Sequence, residues 1–446
     1  MKVTQYITTT NQNFTSVELK PAIKMGGVLT AIPSQKPLNT SFKGFGVAIT
    51  GSSCYNLSKM NPDERNTLIN DIYGKDGLNL SIARISVGSS DYSAELYSYD
   101  DVDGDVELRH FSIDRDKEYI IPMIKEILKV RPDLYIYSSP WSPPGWMKTG
   151  GSMCGGYMRE KYLNCYAEYY VKFLKAYEAE GIHISALTPQ NETETHQGGR
   201  MPACVWHPEI EAKFIKILRE KLIANGLDTE IWMFDNNFNG VERVDWSIKS
   251  IKGLRKAVNG FAFHYYSGNI EQTAQLKENY PELTLNFTEG GPRLYDNYAT
   301  DWNKWFIMMA KTLRNNYSSF TGWNLMLDET GGPNIGPFFC GGLVTLDRVE
   351  NRLKYSGQYM AFKHFAPFIK PKTKIYPISI DSLASMSSYP NLGMNVEGVL
   401  WETDGVKYLG LANPNKDKRQ IQINVDGTWW YIELLPDTVS TIKFEK

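Results

Sequence analysis

The chain reads as an alternation of short apolar runs and amphipathic stretches. Between residues 42 and 365 eight apolar runs recur: FGVAI (45–49), LSIARISV (80–87), LYIYSS (134–139), ISALTPQ (184–190), IWMFD (231–235), FAFHYY (261–266), LTLNFTE (283–289) and FTGWNLM (320–326). They are nearly continuous rather than alternating, which predicts strands buried on both faces. Segments with helical spacing lie between them: NPDERNTLINDIYG (61–74), KEYIIPMIKEILKVRPD (117–133) and CYAEYYVKFLKAYEAEG (165–181), the last closed by Gly181. Eight strand–helix units in about 320 residues predict an α/β fold, a (β/α)8 barrel. An open doubly wound sheet is the runner-up. The glycine-rich phosphate turn that announces such a sheet is absent.

The two ends of the chain carry another pattern. VKYLGLAN (406–413), RQIQINVD (419–426), WWYIELLP (429–436) and TVSTIKFE (438–445) alternate at period two with short turns between them. This predicts an antiparallel sheet. VTQYITTT (3–10) and SVELK (16–20) read as further strands. Residues 40–365 are therefore expected to form the barrel. Residues 1–39 together with 366–446 are expected to form a flanking β-sandwich built from both termini.

Composition narrows the function. Of 446 residues, 42% are hydrophobic and 22% charged, which is globular and not disordered. Lys+Arg number 48 against 50 Asp+Glu, so no basic excess exists to neutralise phosphates, and nucleic acid is not an expected partner. No apolar run reaches the roughly 18 residues of a membrane-spanning helix. The first residues, MKVTQYITTTNQNF, contain no apolar core of a secretory signal, so a cytoplasmic protein is expected. The five cysteines, Cys54, Cys154, Cys165, Cys204 and Cys340, are odd in number and scattered. With no zinc-type or nucleotide-binding motif either, neither metal nor organic cofactor is expected.

In a (β/α)8 barrel the chemistry sits at the C-terminal ends of the strands. The second strand carries Arg84. The third runs into SSPWSPPGWMKT, whose prolines and glycine display Trp141 and Trp146. The fourth ends in Asn191-Glu192, the fifth in Asp235-Asn236-Asn237, and the sixth in His264-Tyr265-Tyr266. The seventh ends in Glu289 and the eighth in Trp323-Asn324. Two carboxylates at one mouth, walled by aromatic rings and amides, match the needs of glycoside cleavage: one acid to protonate the leaving oxygen, one ion to meet the cationic anomeric carbon. Asn191 is placed to donate to a sugar 2-hydroxyl, and Tyr266 to hold Glu289. His264 reads equally well as a hydrogen-bonded core histidine, and Asp235 as a supporting ion-pair residue. Glu194 lacks a preceding Asn and ranks behind Glu192. A Schiff-base lyase would need a lysine at a strand end, and none is there. A non-catalytic carbohydrate-binding barrel has no use for two facing glutamates.

Long segments in order, among them GFGVAITGSSCYNL, ISVGSSDYSAELYSYDD, SSPWSPPGWMKTGGSMCGG, ALTPQNETE, NFTEGG and GWNLMLDETGGPN, make the chain resemble glycoside hydrolase family 30, the glucosylceramidase type, over nearly its whole length. The resemblance implies a barrel with a side β-sandwich and a retaining double displacement, with Glu192 as acid/base and Glu289 as nucleophile. It also implies that Arg84, Trp141, Asn191, His264, Tyr266 and Trp323 line the subsite of the cleaved sugar, and that no cofactor is used. Retention calls for carboxyls about 5–5.5 Å apart, inversion for more than about 6.5 Å. The family spans glucosides, xylosides, fucosides and β-1,6-glucans. The expected substrate is a β-glucoside or short β-linked gluco-oligosaccharide cleaved from its end, with the loop from Thr193 to Trp206 walling the cleft. Two positions depart from the family pattern. Gly51 stands where an Asp binds remote sugar hydroxyls, and Thr193 stands where Pro follows the acid/base.

Overall fold

The computed structural model of the protein describes residues 1–38, 42–381 and 396–446. The expected boundary between residues 39 and 40 lies outside the described residues. Eight parallel strands close into a barrel in sequential order: β1 (Gly44–Ala48), β2 (Ile82–Ser86), β3 (Tyr135–Ser139), β4 (Ala186–Leu187), β5 (Glu230–Asn237), β6 (Gly260–His264), β7 (Thr284–Glu289) and β8 (Ser319–Gly322). Each of the eight apolar runs supplies one strand of the barrel. The interior is filled: Ile82, Tyr137, Ala186, Trp232 and Ala262, from five adjacent strands, form one buried cluster. Gly46 in β1 is required by close approach, because a Cβ there would lie 2.1 Å from the carbonyl oxygen of Ile82 in β2.

The strand ends differ from the expected ones, with consequences for the site. β4 keeps only two residues, since Pro189 has no N–H to continue the ladder. Asn191 and Glu192 therefore sit on a turn beyond it. β6 stops at His264, two residues before Tyr266. The run 320–326 is two elements, β8 and a short strand Met326–Asp328, parted at Asn324, whose φ is 62°. Helix α1 (Gly51–Lys59) starts directly after β1, with the Thr50 hydroxyl accepting from Ser53 N at 3.2 Å as its N-cap.

A second unit comprises residues 1–44, 296–318 and 355–446. Its sheet joins both termini, Lys2–Thr9 pairing antiparallel with Thr438–Glu445 from Lys2↔Glu445 onward. Strand Lys374–Asp381 pairs through residues 374–377 with Glu397–Thr403 and through 378–381 with Leu29–Pro33. It thereby links two halves around a shared core that includes Leu409, Ile421, Trp430 and Ile442. Helices Trp302–Arg314 and Gly357–Phe365 belong to this unit, and His364 is buried there between the hydroxyls of Thr8 and Thr441. Among the described residues no helix is long and apolar enough to cross a membrane.

Candidate active site

At the C-terminal mouth the centre of a buried polar network is Asp235. Along β5 and β6, Ala262 pairs with Phe234 but Phe263 pairs with Asn236, so Asp235 is an extra residue. Its φ is 48°, beside Phe234 at 83°. β7 slips in the same way: Phe263 pairs with Phe287 and His264 with Glu289, leaving Thr288 extra. Such irregularities re-aim a side chain out of the normal alternation. Thr288 Oγ1 donates to Asp235 Oδ1 at 2.7 Å, and His264 Nε2 meets the same oxygen at 3.0 Å. Asp235 Oδ2 accepts from Arg84 Nη2, Ser139 Oγ and Thr188 Oγ1, each at 2.8 Å. Burial alone would raise the Asp235 pKa. Arg84, His264 and Thr288 outweigh it and hold the carboxyl well below the usual range.

Glu289 is the last residue of β7. Arg84 Nη1 donates to its Oε2, and the Tyr266 hydroxyl donates to Oε1 at 2.9 Å. Arg84 also donates to Asn191 Oδ1 at 2.8 Å. Its guanidinium carbon lies 4.8 Å from the Trp141 ring centre and 5.5 Å from that of Trp323. These two rings stack on each other at 5.1 Å. Burial opposes the charge on Arg84, but Asp235 and Glu289 outweigh it and push its pKa up. The Tyr266 phenol is pushed well up by burial and by Glu289, so it stays a neutral donor.

Glu192 has φ 53° on its turn. Its N–H donates to Asp235 O at 2.8 Å. Thr193 ties the same turn on both sides: its hydroxyl donates to Phe234 O at 3.2 Å, and its carbonyl accepts from Trp206 N at 2.9 Å. Gln197 Nε2 donates to Glu192 Oε2. His264 Nδ1 lies 3.6 Å from Glu192 Oε1. Burial depresses the His264 imidazole, but Glu289, Asp235 and Glu192 outweigh it, and its pKa is pushed up to about 9. One atom each of Glu192, His264 and Glu289 lies within 4.8 Å of the others. Among the described residues this is the group close enough to share a cation.

A cavity of about 390 Å³ opens over the two glutamates, within the size range of small-molecule sites. Of the residues singled out in the sequence, Trp141, Asn191, Glu192, Tyr266, Glu289 and Trp323 line it. Arg84 and His264 do not form its wall. Both are fully buried, beneath the carboxylates they contact. Trp146 packs elsewhere, its Nε1 donating to Asp100 O at 3.0 Å. Glu194 reaches the rim and pairs with Arg243 at 3.6 Å.

Reading only strand ends misses Asp91, which lies in the loop after β2, five residues beyond the last strand residue. It lines the cavity, is 4% exposed, and its Oδ1 has no hydrogen-bond partner. Burial, then Glu289 and Glu192, raise its pKa well above the usual value. Position 51 offers no carboxyl, and a Cβ on Gly51 would meet Ser93 Oγ at 3.1 Å. The cavity nonetheless has a further buried carboxyl, supplied by the Asp91 loop. Met201, Arg293 and Phe338 also line it. They lie within long loops, where no strand-end argument reaches.

A closed parallel barrel with facing glutamates and stacked tryptophans at its C-terminal mouth is the build of a glycoside hydrolase. Residues 42–369 match the family model of the glycosyl hydrolase family 30 TIM-barrel domain, and the chain belongs to that family. It is 28% identical to putative glucosylceramidase 4 of Caenorhabditis elegans, over 90% of this chain and 81% of that protein. It is 30% identical to an endo-1,6-beta-D-glucanase of Neurospora crassa, over 74% of this chain and 70% of that one. Among solved structures, SrfJ from Salmonella typhimurium (25% identical, TM-score 0.89) and the endo-β1,6-glucanase BT3312 (28% identical, TM-score 0.85) are each matched over the whole of both chains. The chain is thus a glycosidase with a TIM barrel and a β-sandwich.

Proposed function

We propose that this glycosidase retains configuration through a double displacement, with Glu289 as nucleophile and Glu192 as acid/base. Glu289 attacks the anomeric carbon, the bond to the aglycone oxygen breaks, and Glu192 gives that oxygen its proton. In the second step Glu192 takes a proton from water, the water oxygen bonds to the anomeric carbon, and Glu289 leaves as a carboxylate. The observation that carries this reading is the spacing of the pair. One oxygen of each carboxylate lies within 4.8 Å of one of the other, which agrees with the roughly 5–5.5 Å separation of a retaining pair and falls short of the roughly 6.5–9.5 Å of an inverting one. Arg84 occupies Asn191 Oδ1. That leaves the Asn191 amide N–H groups for the sugar 2-hydroxyl.

For substrate, we favour β-glucosides and short β-linked gluco-oligosaccharides cleaved from one end. Glu194, Thr195, Gln197 and Met201, all from the loop 193–206, wall the cavity, which supports a short cleft. A second reading, internal cleavage of β-1,6-glucan, is favoured by the whole-chain likeness to an endo-β1,6-glucanase. A panel of nitrophenyl β-glycosides with β-1,6-, β-1,3- and β-1,4-linked disaccharides and a β-1,6-glucan tests both. Release of single glucose units supports the first reading, and oligosaccharide ladders from the polymer support the second. Turnover of neither class would reject both.

A further inference from the structure

The turn that carries Glu192 lies outside the sheet, and the segment following it is unusual. Gln197, Gly198 and Gly199 have φ of 51°, 62° and 70° in succession. Glycine adopts this region freely, but for Gln197 it is strained, and such strain persists only where surroundings over-determine it. Here they do. Thr195 Oγ1 accepts from Gln197 N at 3.1 Å, and His196 Nδ1 accepts from Gly198 N at 3.0 Å. Gly155 backs the turn so closely that a Cβ there would meet His196 O at 3.2 Å. The outcome of this arrangement is one contact: Gln197 Nε2 on Glu192 Oε2.

We propose that Gln197 is a positioning residue for the acid/base, an amide donor that keeps Glu192 aimed through both half-reactions. The inference rests on the reading of Glu192 as acid/base. A neutral amide N–H can donate to Oε2 when Glu192 is ionised and also when its other oxygen holds the proton. A lysine or arginine in this place would oppose reprotonation. The strained turn fixes the backbone from which the amide reaches Glu192, so the acid/base meets the glycosidic oxygen preoriented.

The test compares leaving groups. Proton donation matters for a poor leaving group and little for an acidic one. Gln197→Met keeps the side chain's length and removes the donor. Its kcat/KM is expected to fall about tenfold for a phenyl or alkyl β-glycoside and less than about threefold for the 2,4-dinitrophenyl β-glycoside, a fraction of the whole general-acid contribution. The ratio of the two substrates is independent of how much variant folds, so a merely structural role would leave it at the wild-type value. Equal losses on both substrates, or a loss confined to KM, would overturn the proposal. Glu192→Ala, run alongside with azide, separates the two levels of inference. If it shows a strong leaving-group dependence and azide rescue while Gln197→Met shows neither ratio change nor loss, only the Gln197 proposal falls. If Glu192→Ala lacks both signatures, the acid/base reading falls and takes the proposal with it.

Discussion

The two glutamates face one cavity but are held by different means. Glu289 ends a six-residue strand and is gripped by the Arg84 guanidinium and the Tyr266 phenol. Glu192 sits on a turn past a two-residue strand, and its side chain meets a neutral amide from the next turn, with His264 Nδ1 at 3.6 Å. Charge-assisted bonds from buried groups are strong and hold a carboxylate in one position. That suits a nucleophile, whose oxygen has to be aimed at the anomeric carbon. A group that must gain and lose a proton in each turnover is better served by a weaker hold. The difference teaches that the barrel fixes one carboxyl with a strand and a directly bonded guanidinium, and the other with loop backbone, an amide and an imidazole standing off at 3.6 Å.

The comparison can be broken from either side. Glu289→Ala is expected to lower kcat on every substrate by 10⁴-fold or more, on the order seen when a nucleophile is removed. Wild-type turnover of an aryl glycoside by this variant would refute its role. Glu192→Ala should cost about 10²–10⁴-fold on poor leaving groups and far less on a dinitrophenyl glycoside, restored in part by azide. Arg84→Met strands Asp235 and Glu289 without their shared cation, both mostly or fully buried. Breaking a buried pair in this way costs about 3–5 kcal/mol, read as a lowered urea midpoint. A midpoint within experimental scatter of wild type would contradict the network described here.

A smaller effect concerns pH. The His264 pKa is pushed up to about 9, against about 6.5 in an unfolded chain. A raised value means the folded state holds the proton longer. This group's contribution to stability is fully present below about 6.5, declines as pH rises, and is gone above about 9. The thermal midpoint of wild type should show this alkaline decline, and in His264→Gln that component should be missing. The smallest effect is expected from chelators. Proton transfer and covalent capture by two carboxyls need no metal, so activity in excess EDTA should equal that without it.

Much of this was legible in the sequence because buried parallel strands write themselves as apolar runs. All eight appear, and the strand-end residues Asn191, Glu192 and Glu289 follow from them. What the sequence hides is whatever depends on register. The extra residues Asp235 and Thr288 carry no marker in FDN or FTE, yet they decide that Asp235 gathers Arg84, Ser139, Thr188 and His264 beneath the site. For that reason Arg84 and His264 support the carboxyls from below instead of lining the wall. Asp91 and Gln197 reach the cavity from loops whose course no periodicity describes. In the second unit, Leu29–Pro33, Lys374–Asp381 and Glu397–Thr403 are strands that no clean period-two alternation announces. Two of them contain a proline, Pro33 and Pro377, while the four C-terminal strands with clean alternation match the expected runs almost residue for residue.

The most direct test of the division of labour is to trap the covalent intermediate. A 2-deoxy-2-fluoro-β-glucoside with a dinitrophenolate leaving group should inactivate the enzyme with one equivalent of label. Peptide mass spectrometry is expected to place that label on Glu289, and proton NMR of turnover should show the β-anomer appearing first. A label on Glu192, or the α-anomer as first product, would contradict the account.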